Sequence, residues 1–189
     1  MNLSKTATLC GATLFGAVAL MSSSPGGAGR SATRQVTGQS LCRPAEQPLF
    51  QCRARKKTIA LCAGSAGSGG RHVQYRYGRP GRVELAYPRS GKAGLSWARI
   101  GYAGGGEMQV NFNQAGHRYV LWSRMTAGAW DDEGHRAHDF SSGVSVVRGN
   151  RVVSERLCTD SDDPWIAEAP VERLLPEGQP TQWWELQEE

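Results

Sequence analysis

Short runs in which apolar and polar residues alternate, most of them ended by glycine or proline, fill the chain from Cys42 to Cys158. Period-two alternation puts every second side chain on one face of a β-strand, so this pattern predicts strands with one buried face. Glycine accounts for 24 of the 189 residues, a share typical of turn-rich β-proteins. We therefore predict an all-β domain over residues 42–158, an antiparallel sandwich or small barrel of about eight strands.

The first 19 residues have the pattern of a secretory signal peptide. Lys5 supplies a positive charge, residues 6–21 are uncharged, and Ala17-Val18-Ala19 fits the small-residue rule for cleavage. The uncharged run is shorter than the roughly 20 residues that span a membrane. We therefore predict a signal peptide over residues 1–19, a flexible leader over residues 20–41, and a periplasmic or secreted protein without membrane insertion after cleavage.

Cleavage removes Cys10 and leaves an even number of cysteines for an oxidising compartment: Cys42, Cys52, Cys62 and Cys158. No interval between them is C-x-x-C, which argues against a redox motif or a zinc site, and three disulfide pairings are open. In the first predicted hairpin, residues 49–54 and 58–63, strand parity puts Cys52 and Cys62 on opposite faces. We predict two structural disulfides, with Cys42–Cys62 and Cys52–Cys158 as the favoured pairing.

The next predicted hairpin joins Val73–Tyr77 to Val83–Tyr87, where Pro88 ends the second strand. Matching the apolar faces puts Tyr77 across from Val83 and leaves a five-residue loop with Pro80-Gly81 at the centre of a type II turn. The same register puts Arg76 across from Glu84 on an exposed outer face.

Five further strands follow from the same alternation, over residues 95–102, 108–112, 118–124, 143–147 and 151–158. After Cys158 the composition turns acidic, and residues 159–189 are predicted as a C-terminal helix and tail. Asp160–Pro164 resembles a helix N-cap region, Trp165–Leu175 is predicted as the helix, and Pro176 ends it.

Charge is divided along the chain. Residues 30–99 carry 14 Lys or Arg against two acidic residues, and residues 100–189 carry 7 Arg against 15 acidic residues. The basic first half favours an anionic partner, or else the two halves neutralise each other within the fold. Export and the acidic tail argue against nucleic acid as that partner.

The segment Asp131–Asp139 combines acidic side chains with His135 and His138, which are groups that a divalent cation accepts. Its spacing matches neither H-E-x-x-H nor an EF-hand loop. We therefore predict an exposed polar loop and no metal site; a metal-dependent hydrolase built on this loop is the last of three functional hypotheses.

No residue pattern indicates a catalytic centre. Gly64–Gly70 contains serines but lacks the spacing of a nucleophile elbow, a dinucleotide fingerprint or a phosphate loop. His72 and His117 lie near strand starts without an acidic neighbour in sequence, and we interpret them as surface histidines. The prediction is no catalytic residue and no cofactor.

Two places are predicted to bind a partner. Arg79 and Arg82 lie in the loop of the second hairpin. Trp183-Trp184, two of six tryptophans, lies in a polar tail and is interpreted either as an anchor for a protein or sugar, or as a segment docked on the domain itself.

A set of segments along the domain carries a family resemblance: Leu49–Cys52, Lys57–Cys62, Tyr75–Gly81, Val83–Pro88, Gly104–Gly106, Phe112, Tyr119-Val120, Gly143–Val146 and Cys158. With them the chain resembles a family of uncharacterised small secreted or periplasmic β-proteins of proteobacteria, over roughly residues 42–158. This resemblance implies export and a β-fold, and it implies no activity. The opening F-x-C, the basic turn and the second strand are also similar to periplasmic lysozyme inhibitors, although the segment with which those inhibitors plug an active site has no counterpart here.

These observations favour a non-enzymatic exported protein that binds another exported or periplasmic protein, for example as an inhibitor or immunity factor against a cell-wall-degrading enzyme. The alternative is a cell-wall or glycan-binding module that uses exposed tryptophan and the basic half of the chain.

Overall fold

The structure is a computed structural model that describes residues 40–65, 70–89, 94–160 and 164–186. The predicted signal peptide, almost all of the leader and Cys10 lie outside the described residues. Within the described part, no helix has the length and apolar character needed to cross a membrane.

The described chain forms two antiparallel sheets in which each strand pairs with its neighbours in sequence. The first sheet contains β1 (Gln47–Ala54), β2 (Lys57–Ser65), β3 (Arg71–Arg79) and β4 (Arg82–Tyr87). The second sheet contains β5 (Ser96–Tyr102), β6 (Gly105–Gln114), β7 (His117–Trp130), β8 (Arg136–Arg148) and β9 (Arg151–Leu157). The predicted all-β class is confirmed, and the architecture is a sandwich rather than a closed barrel.

The main core lies between the two sheets and is centred on Phe112 of β6. The Phe112 ring lies 4.4 Å from that of Tyr87, 4.8 Å from that of Tyr119 and 5.1 Å from that of Tyr75, measured between centroids. Tyr75 and Tyr87 belong to the first sheet, whereas Phe112 and Tyr119 belong to the second, so stacked aromatic rings join the sheets.

The predicted disulfide pairing is confirmed: Cys42 bonds Cys62, and Cys52 bonds Cys158. Cys52 faces the core beside Ile59, whereas Cys62 lies on the opposite face of β2 against Leu41. The Cys52–Cys158 bond joins β1 to the residue that follows β9, and so it links one edge of each sheet.

We expect the Cys52–Cys158 disulfide to stabilise the fold more than Cys42–Cys62, because it spans 106 residues of sequence against 20. Loop-closure entropy alone gives roughly 5 kcal/mol for the longer loop and roughly 3 kcal/mol for the shorter one. Urea unfolding of a Cys52→Ala/Cys158→Ala variant and a Cys42→Ala/Cys62→Ala variant measures both values. An equal or reversed order would contradict the entropic account.

The predicted register of the second hairpin is wrong by two residues. Tyr77 pairs with Leu85 rather than with Val83, and a bulge beside Gly78 lets that residue pair with Val83. Gly78 has a φ of 155°, and a Cβ there would lie 2.4 Å from the carbonyl oxygen of Arg82. Glycine therefore permits a tight turn at Pro80-Gly81 in place of the expected five-residue loop.

The expected Arg76–Glu84 contact does not form. Arg76 lies across from Ala86 and is only 4 % exposed. Its Nη1 donates to Glu46 Oε2 at 2.5 Å and to the carbonyl oxygen of Leu41 at 2.7 Å, while Nη2 donates to Glu46 Oε1 at 2.7 Å. This bidentate pair ties the segment before β1 to the outer face of the first sheet, and Glu84 instead pairs with Lys57.

Acid should weaken the fold through Glu46. Burial opposes ionisation of this carboxyl group, but hydrogen bonds from Arg76 and from the Arg43 backbone outweigh it and lower the pKa of Glu46 from 4.5 to about 2. The folded state therefore binds the proton less readily than the unfolded chain. The resulting stabilisation, on the order of 3 kcal/mol, is present above about pH 4.5 and is lost as the pH falls toward 2.

Urea unfolding between pH 7 and pH 2 tests this expectation with Glu46→Gln and, as a control, Glu84→Gln at the exposed Lys57–Glu84 pair. The stability difference between the native chain and Glu46→Gln should shrink as the pH falls. A difference that stays constant over this range would contradict the role of Glu46, as would one no larger than that of Glu84→Gln, because the hydrogen bond from Lys57 also lowers the pKa of Glu84.

Strands β7 and β8 are longer than the sequence pattern indicated. The pairing of β6 with β7 ends at Met125, whereas β7 and β8 stay paired as far as Trp130 and Arg136. Residues 126–139 therefore form a two-stranded extension, the β7–β8 arm. The prediction of a loop over Asp131–Asp139 is correct only for the turn at its tip, since the last four of these residues belong to β8.

Helix α1 (Glu168–Leu174) starts later than predicted, and its N-cap is Ala167, so the N-cap assigned to Asp160–Pro164 is wrong. The chain before α1 is instead held along the edge of β1: the N–H of Thr159 donates to the carbonyl of Arg53, and the N–H of Ala167 to that of Leu49. Extended backbone pairing here competes with helix formation. As predicted, the helix ends before Pro176.

Candidate functional site

Three polar side chains lie buried on the outer face of the second sheet, the face away from the main core. They occupy alternate positions on β6, Glu107, Gln109 and Asn111, and are 3 %, 0 % and 7 % exposed. Alternation along a strand puts them on one face. The C-terminal segment 181–186 covers them: Gln109 Oε1 accepts from the N–H of Thr181, and Gln109 Nε2 donates to its carbonyl.

The Glu107 carboxylate is the acceptor on which this face is organised. Oε1 accepts from Gln109 Nε2 at 2.5 Å and from Trp183 Nε1 at 2.8 Å. Oε2 accepts from Arg124 Nε at 2.6 Å and from the Tyr102 hydroxyl at 3.1 Å. The five residues form the Glu107 cluster, which joins β5, β6, β7 and the C-terminal segment at one charged group.

Aromatic rings surround the guanidinium group of Arg124. Its carbon lies 4.8 Å from the ring centroid of Trp122, 5.8 Å from that of Trp183 and 5.9 Å from that of Tyr102. The side chain is 29 % exposed and uses Nε for its bond to Glu107. Its orientation is therefore set by stacking and by one charge-assisted hydrogen bond.

The Tyr102 phenol stays neutral at any physiological pH. Burial and, next, the nearby Glu107 carboxylate raise the pKa of Tyr102 to about 12. Its hydroxyl therefore keeps its proton and remains a donor to Glu107.

An open cleft of about 400 Å³ lies beside the Glu107 cluster. Aromatic rings and polar side chains line it together: Tyr102, Arg124, Thr126, Trp183 and Trp184. Trp183 packs against Trp122 and is held by Glu107, whereas Trp184 is 65 % exposed. This surface, the aromatic cleft, therefore has one wall contributed by the C-terminal segment.

A second candidate surface lies at one end of the first sheet. Pairing of Thr58 with Gly78 puts the β1–β2 turn and the β3–β4 turn side by side. Exposed cationic side chains occur in or beside these two turns: Arg55, Lys56, Arg79 and Arg82. Among the described residues, none of the four forms an ion pair. We call this surface the basic end.

The structure thus separates the residues predicted to bind a partner. Arg79 and Arg82 lie at the basic end with two cations from another turn, whereas Trp183 and Trp184 line the aromatic cleft. Trp183 is docked on its own domain, which agrees with one of the two interpretations of the tail. Trp184 remains exposed.

Glu107 was not predicted from the sequence as a site residue. The sequence does contain an indication of it: Glu107 alternates with Gln109 and Asn111 along a strand whose other face is apolar, which puts the three polar side chains on one face. Its partners Arg124 and Trp183 are 17 and 76 residues away in sequence, so only the fold identifies them.

The acidic segment lies at the tip of the β7–β8 arm. Ligand-type atoms of Asp131, Glu133 and His135 lie within 4.8 Å of one another, and all three residues are exposed. Asp131 Oδ1 already accepts from the backbone N–H groups of Glu133 and His135, so it has a structural role in closing the turn.

His72 and His117, the two histidines outside the Asp131–Asp139 segment, each contact an oxygen acceptor. His72 Nε2 lies 3.4 Å from Glu46 Oε1, an acidic neighbour contributed by the fold rather than by the adjacent sequence. The ring of His117 bonds the carbonyl oxygen of Ala115 at 2.9 Å.

Comparison with known proteins returned no match among family models, curated proteins or solved structures.

Replacing Glu107 with Gln should destabilise the protein by about 3 kcal/mol, since it leaves Arg124 without its counter-charge and converts an acceptor of four donors into an amide. Trp183 should then detach from the sheet. Urea unfolding measures the first effect, and near-UV circular dichroism of the tryptophans measures the second.

The matched control for this change is Glu185→Gln, an exposed carboxylate in the same segment, which should shift stability by less than about 0.5 kcal/mol. Equal effects of the two substitutions, or an unchanged tryptophan signal in Glu107→Gln, would remove Glu107 from its organising role.

Proposed function

We propose that this protein is an exported, disulfide-bonded binding protein that uses its basic end to dock on an acidic surface of another exported protein. The observation that carries the proposal is the juxtaposition of four exposed cations from two turns, none of them in an ion pair within the described chain. Two disulfides support export, because such bonds persist in oxidising compartments.

The rest of the charge distribution favours a docking role for these cations. Arg53 pairs with Asp160, and Arg99 pairs with Glu168 and Glu172, so ion pairs between the two halves neutralise some of the basic first half. The cations of the basic end keep their charge exposed. Clustered charges of one sign at a projecting end steer an oppositely charged partner and set its orientation.

A cell-wall-degrading glycoside hydrolase is the kind of partner that fits this surface. Such enzymes usually place two carboxyl groups at the active site, which makes the substrate cleft acidic. The basic end is formed by two short turns that join paired strands, so the backbone that carries its charges is already ordered before binding. Inhibition of, or immunity against, such an enzyme would be the biological result.

The test is to immobilise the oxidised protein and identify by mass spectrometry what it retains from periplasmic and secreted fractions in moderate salt. The retained protein is then purified, and its affinity and its activity on cell-wall sacculi are measured with and without the binding protein. We expect Arg79→Glu/Arg82→Glu to weaken binding about tenfold or more and to reduce the dependence of the association rate on salt.

The chain offers a matched control in Arg148→Glu/Arg151→Glu. These arginines also face each other across a two-residue turn, at the β8–β9 hairpin of the second sheet, and the substitution changes net charge by the same amount. It should leave binding unchanged. Equal losses in both double variants, or no retained protein that is sensitive to Arg79 and Arg82, would refute docking through the basic end.

A further inference from the structure

We propose that the aromatic cleft is a second binding site, independent of the basic end, and that its ligand is the neutral pyranose ring of a glycan. This inference does not rest on the acidic-partner proposal, because the cleft belongs to the second sheet and the C-terminal segment, whereas the basic end belongs to the first sheet.

The walls of the cleft suit a ring with one apolar face. The Trp184 indole is 65 % exposed, and the Trp183 indole and the Tyr102 phenol line the same space. A pyranose presents C–H groups on its flat face, and such a face packs on an indole without the loss of a hydrogen bond. Exposed indole surface of this kind otherwise contacts water at a cost in free energy.

The polar groups of the cleft suit a ligand without charge. Glu107 neutralises Arg124 through a 2.6 Å bond to Nε, so the guanidinium group keeps N–H donors while its charge is already compensated. Thr126 adds a hydroxyl that both donates and accepts. Sugar hydroxyl and acetamido oxygens are neutral acceptors for such donors, whereas a carboxylate would add a second negative charge close to Glu107.

The cleft is also ordered before a ligand arrives. Arg124, Tyr102 and Trp183 are each fixed by a hydrogen bond to Glu107. Its volume of about 400 Å³ lies within the range of small-molecule sites, about 300–1,000 Å³. A ready-made shallow site of this size accommodates a sugar ring of a longer chain that continues into solvent.

Isothermal titration calorimetry of the oxidised full-length chain with the tetrasaccharide of β-1,4-linked N-acetylglucosamine tests the proposal. Cellotetraose tests whether the acetamido group matters, and tetragalacturonate is the charged counterpart. We expect saturable binding of at least one neutral tetrasaccharide with a dissociation constant below about 1 mM, and weaker binding of the galacturonate.

Trp184→Ala should weaken binding of the neutral tetrasaccharide about tenfold, because it removes the exposed stacking wall. The matched control is Trp130→Ala, which removes an indole of nearly equal exposure, 67 %, from the β7–β8 arm and should leave affinity unchanged. Both indoles are largely outside the core, and thermal unfolding of each variant verifies that the fold is kept.

Absence of saturable binding for both neutral tetrasaccharides up to about 10 mM would overturn the proposal, as would equal affinities for Trp184→Ala and the native chain. Preferential binding of tetragalacturonate would overturn the neutral-ligand argument. The outcomes are separable from those of protein capture, since Arg79→Glu/Arg82→Glu should leave saccharide affinity unchanged and Trp184→Ala should leave protein capture unchanged.

Discussion

The bond between Glu107 and Arg124 is the interaction on which the outer face of the second sheet depends. A carboxylate with no solvent exposure is costly unless it is paired and fully hydrogen-bonded, and Glu107 receives four donors. Those donors come from three strands and from the C-terminal segment. The hydrogen bonds that satisfy this one buried carboxylate therefore bring together residues between positions 102 and 183, and several of them form the wall of the cleft.

The first sheet uses the same device at the opposite side of the molecule. There Glu46 lies before β1 and holds the buried guanidinium of Arg76, which also donates to the Leu41 carbonyl. In the first sheet the acid–arginine pair itself holds the segment before β1, whereas in the second sheet the pair joins β6 to β7 and Glu107 holds the C-terminal segment through Trp183 Nε1. Such pairs add directional constraint as well as stability, since removal of either partner leaves an uncompensated charge in a buried position.

Much of the fold could be predicted because strand parity is a local property. Alternation identified the hairpins, and the opposite faces of Cys52 and Cys62 argued against one of the three possible disulfide pairings; the structure contains the favoured one of the two that remained. Parity determines which residues share a face but not their register: Leu85 and Tyr87 lie across from Tyr77 and Tyr75, two positions from the predicted pairing, because a two-residue turn and a bulge beside Gly78 replace the expected loop. The start of α1 was misplaced for a different reason, since pairing with β1 holds the preceding residues extended.

The candidate sites were less predictable because their residues meet only through tertiary structure. Arg79 and Arg82 could be identified as a projecting pair, but Arg55 and Lys56 join them only through the register of β2 with β3. Trp183-Trp184 stood out in a polar tail, yet the contrast between a docked and an exposed indole depends on Glu107, 76 residues before Trp183.

The division of charge along the sequence allowed two interpretations, an anionic partner or neutralisation within the fold. Arg53 of β1 and Arg99 of β5, both in the basic half of the sequence, pair with acidic residues of the C-terminal part, which lowers the repulsion among the positive charges of that half. This neutralisation acts along the edges of the sheets, where the chain after β9 returns past β1 and β5. Among the described residues, Arg55, Lys56, Arg79 and Arg82 in the turns at the basic end form no such ion pair, and their side chains stay exposed.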